Sequence, residues 1–222
     1  MEQDQNELPT IVYVDENLDA LEDFGTDAKK SGLFSSIVLL SPEPRLDDMI
    51  AALMELKFEA LVSDFRLADA APVDYNGAQL VERFGRVRQD FPCFIRTSYE
   101  REALHEAEDV NTVYAKEDQV SQDIRPLLER VGLQVTRHRR QVEAWTAELS
   151  ELLEQDRSKL SADAIDRILA LDAWLESGLG SDDSMPGPSK RSVLENNVFE
   201  GRQALIAETE RLVADIRKTL DE

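Results

Sequence analysis

Three features of this sequence predict an α/β fold, a doubly wound parallel sheet, followed by an all-α region. In about the first 120 residues, short apolar runs alternate with amphipathic stretches in the order βαβαβαβαβα. From Ser121 onward the apolar residues instead recur by alternating steps of four and three. Several of the early runs also end in polar residues: Ile11-Val12-Tyr13-Val14 leads to Asp15-Glu16, and Ala60-Leu61-Val62-Ser63 to Asp64. Phe94-Ile95-Arg96 leads to Thr97-Ser98, and Val113-Tyr114-Ala115 to Lys116. In a parallel sheet those ends share one edge.

Each element has its own justification. The first strand, Ile11 to Val14, precedes Asn17 and Asp19, either of which can cap a helix running to about Lys30 and ended by Gly32. A second strand covers Ile37 to Leu40. Pro42 and Pro44 then turn the chain into a helix whose Leu46, Ile50, Leu53, Met54 and Lys57 recur at helical spacing. The third strand is Ala60 to Asp64, and the small, turn-forming residues from Ala68 to Gly77 predict a loop before a helix from about Ala78 to Gln89. Pro92 opens the fourth strand. Glu100 to Glu108 read as a short acidic helix, mobile or facing a partner, and Thr112 to Ala115 as the fifth strand.

In the second half, Ile124, Leu128, Val131, Val135, His138, Val142, Trp145, Leu149 and Leu152 form a heptad seam. It predicts a helix of about 30 residues, roughly 45 Å long, continuous with the last helix of the first domain. A helix that long needs a partner. Ser161 caps a second helix carrying Ile165, Ile168, Leu169, Trp174 and Leu175. A Gly-, Ser- and Pro-rich linker over about 177–191 precedes a last helix from about Ser192 to Leu220. The expected domains are therefore 8–123 and 124–222, the latter a helical bundle or coiled-coil extension. His138 reads as a polar seam position setting register or oligomeric state, Arg137, Arg139 and Arg140 as a solvated face, and Trp145 and Trp174 as core.

Composition narrows the function. A chain of 222 residues with 42% hydrophobic residues can bury a full core, and its formal net charge of -21 argues against nucleic-acid and anionic-membrane surfaces. Met1 to Glu7 lacks the basic and apolar segments of a signal peptide. Cys93 is the single cysteine, so it reads as a buried small hydrophobe in a cytoplasmic protein.

The chemistry is expected where the strands end. Ligands of open parallel sheets bind beyond the carboxyl ends of the strands, and Asp15, Glu16, Asp64, Thr97 and Lys116 all lie there. Three gathered carboxylates repel one another, and a hard divalent cation, Mg²⁺, relieves the repulsion. With an ammonium and a hydroxyl beside it, such a cluster suits phosphoryl chemistry: Lys116 and the metal neutralise phosphoryl oxygens, Thr97 hydrogen-bonds one, and Asp64 attacks phosphorus. The simpler roles are helix capping for the acids, a solvated lysine, and an ordinary β-branched strand residue at Thr97.

These residues resemble the receiver domain of two-component response regulators over about residues 10 to 125, a little over half the chain. Val14-Asp15-Glu16-Asn17 is similar to the family's acidic pair, Ser63-Asp64-Phe65-Arg66-Leu67 to its acceptor segment, Thr97-Ser98 to its switch hydroxyl, and Lys116 to its strand-five lysine. The resemblance implies a flavodoxin-like sheet of order 2-1-3-4-5. It also implies Mg²⁺ held by Asp15, Glu16, Asp64 and the backbone carbonyl of Arg66, with Asp64 phosphorylated by a histidine kinase or phosphotransfer protein. Three positions depart from the family's pattern. Glu117 follows Lys116 where proline is usual, the loop over 68–76 is several residues longer, and Val113 stands where an aromatic switch residue is common, with Tyr114 one position later.

The expected function is that of a non-enzymatic cytoplasmic response regulator whose helical region binds a protein effector, neither DNA nor membrane, with a homodimer through the heptad seam as a further expectation. A phosphorylation-independent scaffold is the alternative. A phosphatase with Asp15 as nucleophile would want a second aspartate where Asn17 stands.

Overall fold

The computed structural model describes residues 8–69, 72–116, 124–155, 160–179 and Arg211. It divides into two compact units, residues 1–138 and 139–222.

The first unit is built on five parallel strands: β1 (Thr10–Val14), β2 (Ser36–Leu40), β3 (Ala60–Asp64), β4 (Cys93–Thr97) and β5 (Val113–Ala115). They lie in the order β2-β1-β3-β4-β5, as the resemblance implies. Side chains alternate between the faces along each strand. Val12, Val14, Leu61, Ile95 and Val113 meet helices α2 (Leu46–Met54), α3 (Gly77–Val87) and α4 (Glu100–Glu106) on one face. Ile11, Tyr13, Val62 and Phe94 meet α1 (Leu18–Ser31) and the first half of α5 (Arg125–Glu154) on the other.

Local chemistry sets the helix ends. Asn17 Oδ1 accepts from the Asp19 and Ala20 amides at 2.9 and 3.3 Å, and Gly32 closes α1 at φ +69°, a conformation glycine adopts without strain. Asn76 and Gln79 form a reciprocal capping box at the start of α3. Helix α2 stops at Met54, short of the expected Lys57, because Leu56 folds back onto Leu53 and Phe58 then enters the core under β3. Helices α3 and α4 likewise end two residues early, and β5 begins at Val113 after a single 3-10 turn over Val110–Thr112.

Helix α5 has the predicted length, yet its apolar stripe serves two partners. Ile124, Leu128, Val131 and Val135 are buried against the sheet. In the second unit, Trp145 and Leu149 are buried with Ile165, Ile168, Leu171 and Leu175 of α6 (Ala162–Leu179). The heptad expectation is thus corrected. The stripe is divided, its first half packed against the sheet and its second half against α6. His138 is corrected with it: the imidazole packs edge-on against Phe91, 5.6 Å between ring centroids, and not in a helix-helix seam.

Trp145 and Trp174 meet at 5.1 Å, and Arg167 grips Glu148 with two bonds of 2.6 and 2.5 Å. Ser161 caps α6 as expected, its hydroxyl accepting from the Ala164 amide at 3.2 Å. Residues 177–179 of the expected linker continue α6. The rest of that linker, the last helix from Ser192 to Leu220 apart from Arg211, and Glu117 lie outside the described residues.

Candidate functional site

Register brings the strand ends to one level. Val14 pairs with Ser63, Asp64 with Arg96, and Thr97 with Ala115, so Asp15, Asp64, Thr97 and Lys116 fall together at the carboxyl edge. The strand order reverses between β1 and β3, the place where open parallel sheets bind ligands.

Asp15 is 1% exposed and fully engaged. Its Oδ2 accepts from the Tyr13 hydroxyl at 2.6 Å and from Lys116 Nζ at 3.2 Å, while Oδ1 accepts from the Asn17 amide at 2.9 Å. Asp15 follows the end of β1 two residues after Tyr13, whose hydroxyl reaches it, and burial together with the Asp15 charge keeps the phenol protonated. Tyr13 was legible only as core, since an aromatic residue in an apolar run carries no other signal.

Asp64 is 5% exposed. Lys116 Nζ lies 2.5 Å from its Oδ1, and the Arg66 amide donates to its Oδ2 at 2.6 Å. Burial raises the carboxyl above the usual aspartate range, the Lys116 ammonium opposes that rise, and the Asp15 charge adds to it.

Behind Asp64 the backbone turns tightly. The Gly77 amide donates to the Phe65 carbonyl at 2.8 Å, and a Cβ on Gly77 would sit 1.9 Å from the Asp64 carbonyl oxygen. Only glycine lets the start of α3 approach the Asp64–Phe65 backbone this closely.

Glu16 differs from Asp15. Its Oε2 is buried without a hydrogen-bond partner, and burial, aided by the charges of Asp15 and Asp64, pushes its carboxyl up to about 7. Among the described residues, no three His, Cys, Asp or Glu side chains converge in metal-holding geometry. Lys116 instead bridges Asp15 and Asp64. The donor set still fits a hard cation, because an orphaned carboxylate oxygen beside two further carboxylates is the environment that Mg²⁺ relieves.

Thr97 is buried at the end of β4 and its Oγ1 accepts from the Tyr99 amide at 2.9 Å, which leaves the hydroxyl proton available to donate. Arg66 joins the site through its N–H, whereas the sequence reading concerned its carbonyl. Its side chain runs outward. The guanidinium lies 3.5 Å above the Tyr99 ring and meets Glu102 at 2.8 Å and Asp69 at 3.5 Å. Tyr114 points to the α1 and α5 face, with Phe94 at 5.8 Å and Arg130 over its ring at 5.4 Å, while Val113 faces α4. Strand alternation therefore bars Tyr114 from substituting for an aromatic residue at 113.

No family model matches the chain, and no curated protein matches it in sequence. Among solved structures, a sensor protein from Polaromonas sp. JS666 is similar at 14% identity and a TM-score of 0.44, over 58% of this chain and 97% of that one. A CheY-like response regulator receiver domain from Methylobacillus flagellatus is similar at 15% identity and a TM-score of 0.40, over 56% and 99%. RcsB from Salmonella enterica serovar Typhimurium, bound to promoter rprA in the presence of phosphomimetic BeF3-, is similar at 13% identity and a TM-score of 0.44, over 84% and 98%. By its all-parallel register, its strand order β2-β1-β3-β4-β5 and its helices on both faces, the first unit has the flavodoxin-like fold of CheY-like receiver domains.

Proposed function

We propose that this chain is a two-component response regulator in which Asp64 accepts a phosphoryl group and the helical region carries the output to a protein partner. The observation that carries this reading is the buried Asp64 carboxylate held 2.5 Å from the Lys116 ammonium, which also reaches Asp15 at 3.2 Å. Asp64 attacks the phosphorus of a phosphohistidine on a kinase or phosphotransfer protein. The new P–O bond forms as the P–N bond breaks, and the departing imidazole nitrogen keeps the electron pair and is protonated from solvent. Lys116 balances the charge on the transferred group, and Thr97 donates its free hydroxyl proton to one phosphoryl oxygen. Asp15, Glu16, Asp64 and the Arg66 carbonyl would hold Mg²⁺, which when bound adds positive charge beside the phosphoryl oxygens.

The net charge of -21 supports a protein contact over a nucleic-acid one. No described helix is long and apolar enough to cross a membrane. We take the protein to act in the cytoplasm and to have no enzymatic turnover of its own.

Two observations favour a phosphorylation-independent scaffold. Lys116 already neutralises Asp15 and Asp64, and position 113 carries no aromatic ring. The two readings part on one experiment. The protein and its Asp64→Asn variant are incubated with Mg²⁺ and acetyl phosphate, or with beryllofluoride, and followed by intact mass and elution volume. A labile single-phosphate adduct on wild type alone is the expected result. No adduct and no beryllofluoride response would leave the scaffold.

A further inference from the structure

Helix α4 is weakly held by its own contacts. It has seven residues, no side-chain bond at its Tyr99 cap, and Ala103 as its only buried residue. So short a helix is not stable by itself in water. What holds it comes from the segment that follows Asp64. Arg66 stacks on Tyr99 at 3.5 Å and pairs with Glu102 at 2.8 Å, and Asn76 Nδ2 donates to Glu106 at 2.5 Å. Glu102 and Glu106 are four residues apart, so both lie on one face of α4. An exposed ion pair contributes little to an ordinary helix. On α4, with one buried residue, the same small contribution decides whether the helix stays docked.

Arg66 is also tied to the acceptor itself, through its N–H to Asp64 Oδ2 at 2.6 Å. Tyr99, under its guanidinium, is tied to Thr97 through its own amide at 2.9 Å. Resting on the reading of Asp64 as phosphoacceptor, we propose that Arg66 is the positioning residue that couples Asp64 to α4: unmodified, it clasps the helix, and phosphorylation releases it. A phosphoryl group brings three acceptor oxygens and close to two negative charges. They compete with Glu102 for the guanidinium and draw the Thr97 hydroxyl inward, which pulls on the Tyr99 amide. The clasp supplies a route to α4 that needs no aromatic side chain at Val113.

The test is hydrogen exchange at the α4 amides, chiefly Ala103 and Ala107, in the full chain with and without Mg²⁺ and beryllofluoride. Fluorine NMR reports bound beryllofluoride independently. The variant is Glu102→Lys, with Glu100→Lys as a control of equal charge in the same exposed turn. In the resting state, Glu102→Lys exchanges about five-fold faster at α4 than the control, with the β1 and β3 amides unaltered. Beryllofluoride brings wild type to a similar rate and adds little to Glu102→Lys. Equal resting rates in the two variants would overturn the clasp, as would a bound beryllofluoride signal with α4 of wild type unchanged. Absence of any bound signal would overturn the reading of Asp64, and the release step with it, while the resting comparison decides the clasp separately.

Discussion

Lys116 Nζ stands 2.5 Å from Asp64 Oδ1, which makes an ammonium at the end of β5 the immediate counterion of a carboxylate at the end of β3. The pair crosses β4, the strand between them, and is closed on the far side by Asp15 at 3.2 Å. Without a metal, this single cation is what allows two buried carboxylates to sit side by side.

Substituting Lys116 by Met therefore leaves Asp15 and Asp64 facing each other uncompensated. Loss of one partner from a mostly buried pair costs about 3 kcal/mol, and with the proposed Mg²⁺ site, added Mg²⁺ is expected to restore part of it. Urea denaturation in EDTA and in Mg²⁺ measures both quantities. A variant as stable as wild type in EDTA would show that the carboxylates are not both ionised.

The edge carrying these groups was legible in the sequence because a run such as Ala60 to Ser63, buried on both faces, has to stop where a charge appears. Asp15, Asp64 and Lys116 lie together for that reason. The side-chain reach of Arg66 was not legible, since its partner Glu102 is 36 residues away and no local pattern links them. Neither was the division of α5. A four-three spacing is the same whether the stripe meets another helix or a sheet, and only the core shows that Val131 faces the sheet while Leu149 faces α6.

Gly77 is expected to be irreplaceable. Alanine there would place Cβ 1.9 Å from the Asp64 carbonyl oxygen, against backbone that cannot swing aside. Either α3 or the Asp64–Phe65 backbone must shift, at a cost of about 3 kcal/mol. Thermal unfolding of Gly77→Ala checks this. A normal melting temperature would mean that the approach is looser than the structure has it. Gly85→Ala, where nothing lies within 4 Å, serves as the neutral control.

Glu16 carries a stability cost that grows with pH. Its carboxyl is about 7 in the folded protein against 4.5 ordinarily, so between those values the folded form holds a proton that the unfolded chain has lost. Stability from this group is therefore greatest at low pH and falls as pH rises through that window. Glu16→Gln should stabilise the metal-free protein at pH 8 by about 1 kcal/mol, once solvent screening is allowed for. Near pH 4.5 the two proteins converge. With the proposed Mg²⁺ site, the same variant is expected to gain less stability from added Mg²⁺ than wild type does. If denaturation curves show the variant less stable at pH 8, the buried oxygen has a hydrogen-bond donor.

His138 has the opposite sign. Its ring meets Phe91 edge-on at 5.6 Å, and the Arg88 guanidinium lies 4.0 Å from the centroid of the same Phe91 ring. Burial first, and then the Arg88 charge, hold the imidazole below its ordinary value of 6.5, against the backbone of Gln89 and the carboxylates of Asp90 and Glu59. The unfolded chain thus binds a proton that the folded one refuses. The contribution to stability is complete above the unfolded value and is lost as pH falls through and below it. Wild type should lose more of its urea midpoint between pH 7.5 and pH 5.5 than His138→Gln does, because the variant removes the only group in that contact which titrates there. Parallel losses in the two proteins would mean that the folded state accepts the proton, with Asp90 and Glu59 outweighing burial and Arg88.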